Sequence, residues 1–529
     1  MTSSRPSARR ASRTAAPVLS RGGASVGALR IPLIFTAALT ALSFLPSVAS
    51  HPRQAWAFWG AASVLIIWGA VLLGVARARG RRLQLEVVLR AQHYLQATVQ
   101  LSVFLYWGWY FEEVYKAAPL ILAQLCFAYA FDMLLAWSRR DRYTLGFGQF
   151  PVIFSINLFL WFKADWFHLQ FVMVAVGFLA KEFIRWQKDG RSAHIFNPSS
   201  FPLGLFALGL ILTSNTAMTW GQEIANTFER PPYIRLWIFL IGLPGQYLFG
   251  VTTMTMSAVM TVFLLGFGHQ LVFGTPFFVD AYVPAAVFLG MHLLFTDPST
   301  SPRSDVGRVL FGITYGACVV TLFSVLGALG IPTFYDKLMA VPLMNLAVRR
   351  IDQLAASPAL QWLDPKAIGR ALAPRQRHLR YIGVWAIAFL IVSDPFYLHR
   401  PRRWVPFWQN ACARSYRGGC ETLGRIVTQY CRQGSGWACN EAGILASDGA
   451  IPAVIPPRLA FEQACGLGSD AACANQRASA PPWRRQPPTP TDLRVLLQEG
   501  QGPVADTTGA ALAERACRQG WLDACDSAN

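Results

Sequence analysis

Apolar runs of about 20 residues, the length that crosses a bilayer's hydrocarbon core, recur from residue 31 to residue 397. No other feature restricts the fold so far. A segment this long and this apolar satisfies its own backbone only as a helix. Composition agrees: 53% of the 529 residues are hydrophobic and 14% charged, whereas soluble proteins carry about a quarter charged residues. The expected class is all-α, a polytopic transmembrane helical bundle of about 11–13 spans, some of them broken. Candidate spans are 31–49, 55–76, 94–111, 117–137, 147–163, 166–186, 200–217, 235–249, 251–267, 278–296, 308–330, 336–348 and 380–397. Gly242, Pro244, Gly245 and Gly250 interrupt 235–267, which reads as two spans or one broken span, and 336–348 is short enough to be re-entrant.

Charge orders these spans. Residues 401–529 hold 13 Arg against 11 Asp and Glu, so nearly all of the net +19 lies earlier in the chain. It clusters in short loops: Arg77 to Arg90, Arg139 to Arg142, Lys181 to Arg191, and Arg349 to Arg380. Positive loops mark the cytoplasmic side, which puts the N-terminus in the cytoplasm and the chain after residue 397 outside. Arg400, Arg402 and Arg403 run against that count. The charges form no single patch, so nucleic acid is not an expected partner; the lipid bilayer is. Residues 1–30 read as a disordered basic cytoplasmic tail, 31–90 as N-terminal spans, and 356–403 as a basic loop with the last span.

Two polar segments break the apolar text: His194-Ile195-Phe196-Asn197-Pro198-Ser199-Ser200-Phe201 and Phe295-Thr296-Asp297-Pro298-Ser299-Thr300-Ser301-Pro302. Irregular backbone at membrane depth is tolerated only where protein or a water-filled cavity satisfies it, so broken helices point to binding sites. By the charge count both breaks face the cytoplasm and can converge. Asn and Asp also suit helix caps and Pro suits first turns; helix ends of this kind equally offer N–H groups to an anion. His194 and His292 flank the breaks and read first as packing residues. Asp132, Asp280 and Asp394 fall within or at the edges of spans, and Asp132 lies deepest. No Walker loop, Rossmann fingerprint or haem-attachment motif occurs, and no metal site is expected.

Eight of the ten Cys follow residue 410, in four C-x7-C pairs: Cys412/Cys420, Cys431/Cys439, Cys465/Cys473 and Cys517/Cys525. Zinc sites space their Cys more closely. An even count outside the membrane argues for disulfides, which agrees with the topology read from charge. The pairs suit two helices joined by a tight turn and stapled by one bridge. Residues 404–529 therefore read as a small extracytoplasmic α-helical domain, with a Pro-rich linker at 480–491.

Several stretches carry a resemblance. Ala180-Lys181-Glu182-Phe183 with Ile195-Phe196-Asn197-Pro198-Ser199, Gly242-Leu243-Pro244-Gly245, Phe295-Thr296-Asp297-Pro298-Ser299 with Gly307-Arg308, and Met344-Asn345-Leu346-Ala347 resemble, in order, motifs of the NqrB/RnfD family. Those are membrane subunits of sodium-pumping NADH:quinone oxidoreductase and of the Rnf complex. The resemblance covers roughly residues 91–355. It implies a bacterial inner-membrane subunit of an electron-transfer system, coupled to ion translocation and working with other electron-transfer subunits. It also implies a flavin (FMN or riboflavin) near Lys181, Glu182, Asn197, Pro198, Ser199, Thr296, Asp297, Pro298 and Ser299. The family's Ser-Gly-Ala-Thr, whose Thr carries FMN covalently, is absent; Thr213-Ser214-Asn215-Thr216-Ala217-Met218-Thr219 stands in the corresponding stretch. A flavin here is thus expected to be non-covalent. The cysteine-rich region resembles disulfide-bridged, tetratricopeptide-like repeats of the Sel-one-like (Hcp) kind, which implies docking of a periplasmic protein. Two other readings stand beside this: a non-redox small-solute or ion transporter or channel, and a membrane scaffold presenting the repeat domain.

Overall fold

The computed structural model describes residues 29–188, 190–229, 231, 233–279, 281–367, 374–393, 405–416, 418–497, 509–518 and 521. The basic tail before residue 29, Asp280, Asp394, Arg400 to Arg403 and Cys525 lie outside them.

Among the described residues the molecule is all-α apart from two small strand pairs. Its first half comprises α1 (Arg30–Leu42), α2 (Pro46–Ala49), α3 (Pro52–Ala78), β1 (Gln84–Val87), α4 (Ala91–Tyr110), α5 (Glu113–Lys116), α6 (Ala118–Arg139), β2 (Arg142–Leu145), α7 (Gln149–Asn157), α8 (His168–Phe183), β3 (Arg185–Lys188), β4 (Arg191–His194) and α9 (Ser200–Leu212). After α10 (Gly221–Thr227) come α11 (Ile234–Phe249), α12 (Thr252–Phe273), α13 (Ala285–Leu289, continued as a π-turn to Leu294), α14 (Asp305–Ala328), α15 (Asp336–Ala355) and α16 (Pro374–Ser393). Among the described residues, four helices are long and apolar enough to cross a membrane: Pro52–Ala78, Glu113–Arg139 (α5 with α6), Thr252–Phe273 and Asp305–Ala328. Arg30–Leu42, Ser200–Leu212, Ile234–Phe249 and Ala285–Leu294 are apolar but shorter. The interrupted 235–267 run resolves into two helices because Gly250 takes φ 64°, a left-handed turn that only glycine adopts freely. The short 336–348 run continues to Ala355.

The strand pairs tie basic loops together. β1 and β2 pair in parallel, Gln84 opposite Arg142, and Arg81 meets Asp141 at 2.7 Å beside them. β3 and β4 form a hairpin around Gly190.

Two halves of the bundle repeat one pattern in opposite senses. In the first, α4 and α6 are followed by the half-length α7, an irregular buried stretch at 158–162, then α8 and α9. In the second, α11 and α12 are followed by the half-length α13, an irregular stretch at 295–304, then α14 and α15. α7 starts beside the start of α4, where Gly148 faces His93. α13 starts beside the start of α11, where Glu229 accepts the Ala285 N–H and pairs with Arg235, and Arg235 donates to the Val283 carbonyl. The start of α4 and the end of α11 line one cavity, so the two half-helices enter the bundle from opposite ends.

Close approach of small residues holds α12 to α14. A Cβ on Gly312 would overlap the Met254 carbonyl oxygen and Ser257 Oγ; one on Gly316 would lie 2.7 Å from the Ala258 carbonyl. Gly312 and Gly316 form the G-x-x-x-G spacing that lets two helix backbones meet.

A second core belongs to the C-terminal domain: α17 (Val405–Ala413), α18 (Gly419–Arg432), α19 (Gly436–Ser447), α20 (Pro457–Gly466), α21 (Asp470–Arg477), α22 (Pro490–Leu496) and α23 (Gly509–Arg518). Cys412–Cys420, Cys431–Cys439 and Cys465–Cys473 each staple one helix to the next. The fourth expected bridge, Cys517–Cys525, involves a residue outside the described ones. The turns under two bridges share one design: Gly434 and Gly468 take positive φ, and the following Ser435 and Ser469 cap the next helix by accepting from Ala438 N and Ala472 N. This domain sits at the end of α14 opposite its Ser304 cap, where Phe323, Ser324 and Gly327 share a crevice with Glu421 and Arg425.

Candidate functional site

Both polar breaks form the same turn. Asn197 Oδ1 accepts from the N–H groups of Ser199 and Ser200 and from Ser199 Oγ, at 2.9, 3.2 and 2.7 Å. Asp297 Oδ1 accepts from Ser299 N and Ser299 Oγ, at 2.9 and 2.7 Å. In each case Pro sets the backbone between an acceptor side chain and the serine it caps. Asn197 thus binds the N–H of Ser200, the first residue of α9, from two positions ahead of Ser199 at the helix cap.

Asn345, from α15, locks the two turns together. Its Oδ1 accepts the Asn197 N–H at 3.1 Å and its Nδ2 donates to the Thr300 carbonyl at 3.3 Å. Asn197 Nδ2 in turn donates to the Leu294 carbonyl at 3.2 Å. On the outer side His194 Nε2 lies 3.0 Å from Ser299 Oγ and 3.8 Å from Asp297 Oδ2. Burial alone would push the Asp297 carboxyl up, but the hydrogen bond and charge of His194, with the Ser299 hydroxyl and amide, outweigh it and hold the group below the ordinary carboxylate range.

These turns form one wall of a cavity of about 330 Å³, at the lower end of the range for small-molecule sites. Of the nine residues expected there, Lys181, Asn197, Pro198, Ser199, Thr296, Asp297, Pro298 and Ser299 all line it. Glu182 does not, and that expectation is corrected. It pairs with Arg139 and Arg140 at 3.2 and 2.7 Å and ties α8 to the end of α6. One position along α8 from Lys181, Glu182 points about 100° away around the helix, toward the two arginines. His194 and His292 both line the cavity, as do Arg90, His93, Gly242, Gly245 and Gln246.

The cavity is graded. At its mouth stand Arg90, His93, Lys181 and His194 against one carboxylate, Asp297. Arg90 and Lys181 make no ion pair among the described residues. Its inner part is formed where α11 faces α13. There Gln246 is 2% exposed with neither amide atom bonded among the described residues, and His292 is 3% exposed with Nε2 likewise unpartnered while Nδ1 meets the Phe288 carbonyl. Buried polar groups normally find partners, so these three atoms are set to meet something polar inside the cavity. In α4, Gln100 Nε2 donates to Ser155 Oγ at 2.7 Å, while its Oε1 also lacks a partner among the described residues.

The other singled-out residues lie elsewhere. Asp132 accepts from Tyr143 and Gln149, joining α6 to β2 and α7. Thr213 to Thr219 follow α9, a 13-residue helix, and so stand about 20 Å along it from the cavity. Among the described residues no group of three or more His, Cys, Asp or Glu is placed to hold a metal ion. Gln246 and Gln100 carried no motif that sequence reading could have used. No family model, no curated protein and no solved structure matches the chain.

Proposed function

We propose that this chain is an integral membrane subunit of an electron-transfer system that holds FMN non-covalently in the cavity between its two broken-helix turns. The observation that carries the reading is the cavity's grading. Two unpaired cations and two histidines at the mouth suit a phosphate. The Gln246 amide, with one donor and one acceptor side free, suits the adjoining carbonyl and imide N–H of a flavin ring. Bound flavin would supply one- and two-electron chemistry; the chain's own residues would bind and orient it. The resemblance to the NqrB/RnfD family supports the same choice.

Membrane residence is supported by exposed apolar side chains along the helices, among them Ile34, Ile67, Leu212, Leu271 and Ile387. Patches of that extent mark contact with lipid or protein. The loop charges favour a cavity that faces the cytoplasm from a bacterial inner membrane, and the disulfides suit a periplasmic C-terminal domain. That domain, read as a Sel-one-like repeat array, would dock a periplasmic partner.

The test is the visible spectrum of the protein purified in mild detergent, followed by acid extraction. Flavin near one per chain, reduced by Arg90→Gln with Lys181→Gln, is expected. A colourless, well-folded protein overturns the reading. A second reading, uptake of a small anion, is favoured by the two half-helices meeting from opposite ends, an arrangement found in transporters. Uptake of labelled phosphate into proteoliposomes tests it.

A further inference from the structure

Residues 481–488, Pro481-Pro482-Trp483-Arg484-Arg485-Gln486-Pro487-Pro488, read as a linker by composition, but they lie as an extended strap across α19 and α21. Asn475 grips the backbone of Arg484 on both sides: its Oδ1 accepts the N–H at 2.7 Å and its Nδ2 donates to the carbonyl at 2.8 Å. Asn440 adds a second donor to that carbonyl at 3.1 Å, and its own Oδ1 accepts from Asn475 at 2.9 Å. Glu441 Oε1 accepts from Arg485 Nε at 3.1 Å. Gln486 Oε1 accepts the Ala471 N–H at the start of α21. Trp483 packs on Phe461 and donates to Asp448.

The chemistry is one-sided. Asn440, Asn475 and Glu441 are 1%, 2% and 3% exposed, and apart from the contact between the two Asn they bond only to the strap among the described residues. With the strap lifted, two amides and a carboxylate would face an empty groove, a costly arrangement unless something replaces it. Backbone grips are indifferent to the side chain of Arg484; the slot at Phe461 and the carboxylate of Glu441 select an aromatic residue and, two positions later, an arginine. That is a peptide-recognition layout: main-chain bonds for affinity and pockets on alternate residues for choice.

We infer that the groove across α19 and α21 is a binding site for an extended, proline-flanked segment of the form Trp-Xaa-Arg-Gln, and that residues 481–488 occupy it as an intramolecular stand-in for a partner protein's segment. The groove itself rests only on these contacts; that its partner is periplasmic rests on the topology proposed above.

The test uses the full chain in detergent and a synthetic peptide of residues 480–489. In the wild-type protein, added peptide should displace the strap, raising amide hydrogen exchange at residues 483–486 by about tenfold while α19 and α21 stay protected. Exchange in the strap that matches α19 and does not respond to the peptide overturns the proposal and makes the strap a fixed structural part. In a second arm, the fluorescently labelled peptide should bind a Trp483→Ala, Arg485→Ala double variant at least about tenfold more tightly than wild type, a difference of 1.4 kcal/mol. Adding Asn475→Ala should abolish that gain. Near-UV circular dichroism and intact disulfides confirm that the variant is folded; a folded variant that does not bind the peptide overturns the proposal. Strap-dependent dimers in light scattering would assign the groove to a second copy and overturn the assignment to a foreign segment.

Discussion

The helical body and the C-terminal domain are held together in opposite ways. The body relies on backbone-to-backbone approach at glycine and leaves buried polar atoms unpartnered around its cavity, Gln246 and His292 foremost. The C-terminal domain relies on cross-links and on buried polar groups with partners: Ser435 Oγ donates to Asp492, which also accepts from Trp437 N, and Asn440, Asn475 and Glu441 are bonded to the strap. A region that binds a small molecule gains from unmet polar atoms; a small domain with a thin core gains from meeting all of them.

The largest expected break in this contrast is chemical reduction. Each of the three bridges closes a short loop, worth roughly 2–3 kcal/mol on a chain-entropy estimate. Reductant should lower the melting temperature and protease resistance of residues 405–496 and leave the body's melt in detergent unmoved. Gly312→Leu should do the reverse. Its side chain would meet the Met254 carbonyl and Ser257, so a loss of roughly 3 kcal/mol in the body is expected, with the C-terminal melt unchanged.

Asn345→Ala is expected to cost less, about 1–3 kcal/mol, because it strips partners from the Asn197 N–H and the Thr300 carbonyl. It should also separate the two turns, so the flavin content proposed for the cavity should fall with it. Asn345→Asp keeps one acceptor and should recover part of the stability; thermal melts of the two variants measure this.

The smallest effect is a divergence with pH. Burial pushes the Glu441 carboxyl up and Arg485 only partly offsets this. The folded domain therefore holds that proton more tightly than the unfolded chain, and stability from this group rises as pH falls from the raised folded value to the ordinary one. Asp297 runs the other way. Its depressed value contributes stability above the ordinary carboxylate range, and that contribution is lost as pH falls through the folded value. Regional melts followed by limited proteolysis between neutral and acid pH should move apart, and parallel shifts would remove both assignments.

Much of the body was legible because its signals are local. Gly250 and the basic loops mark where helices stop, and Asn-Pro-Ser and Asp-Pro-Ser carry their turn chemistry in three residues. The convergence of those turns was legible only through charge, which put both on one side. Asn345 had a motif but no readable role, since its partners lie 148 and 45 residues away. Gln246 is a single amide in an apolar helix, and only the cavity beside it gives it meaning. The strap was misread for a physical reason: proline-rich text is extended whether free or bound, and what binds this one is spread over Asn440, Glu441 and Asn475. The parallel pairing of β1 with β2 joins loops more than 50 residues apart and left no local trace.

α14 begins at the Ser304 cap, next to the turn that carries Asp297, and ends among the residues that face the C-terminal domain. Its 24 residues make a rod of about 36 Å. With Gly312 and Gly316 pressed on α12, that rod has little freedom to bend, so a displacement at one end must appear at the other as a tilt or a slide. An occupant arriving in the cavity and a protein arriving at the cysteine-rich end would be pushing on the same lever.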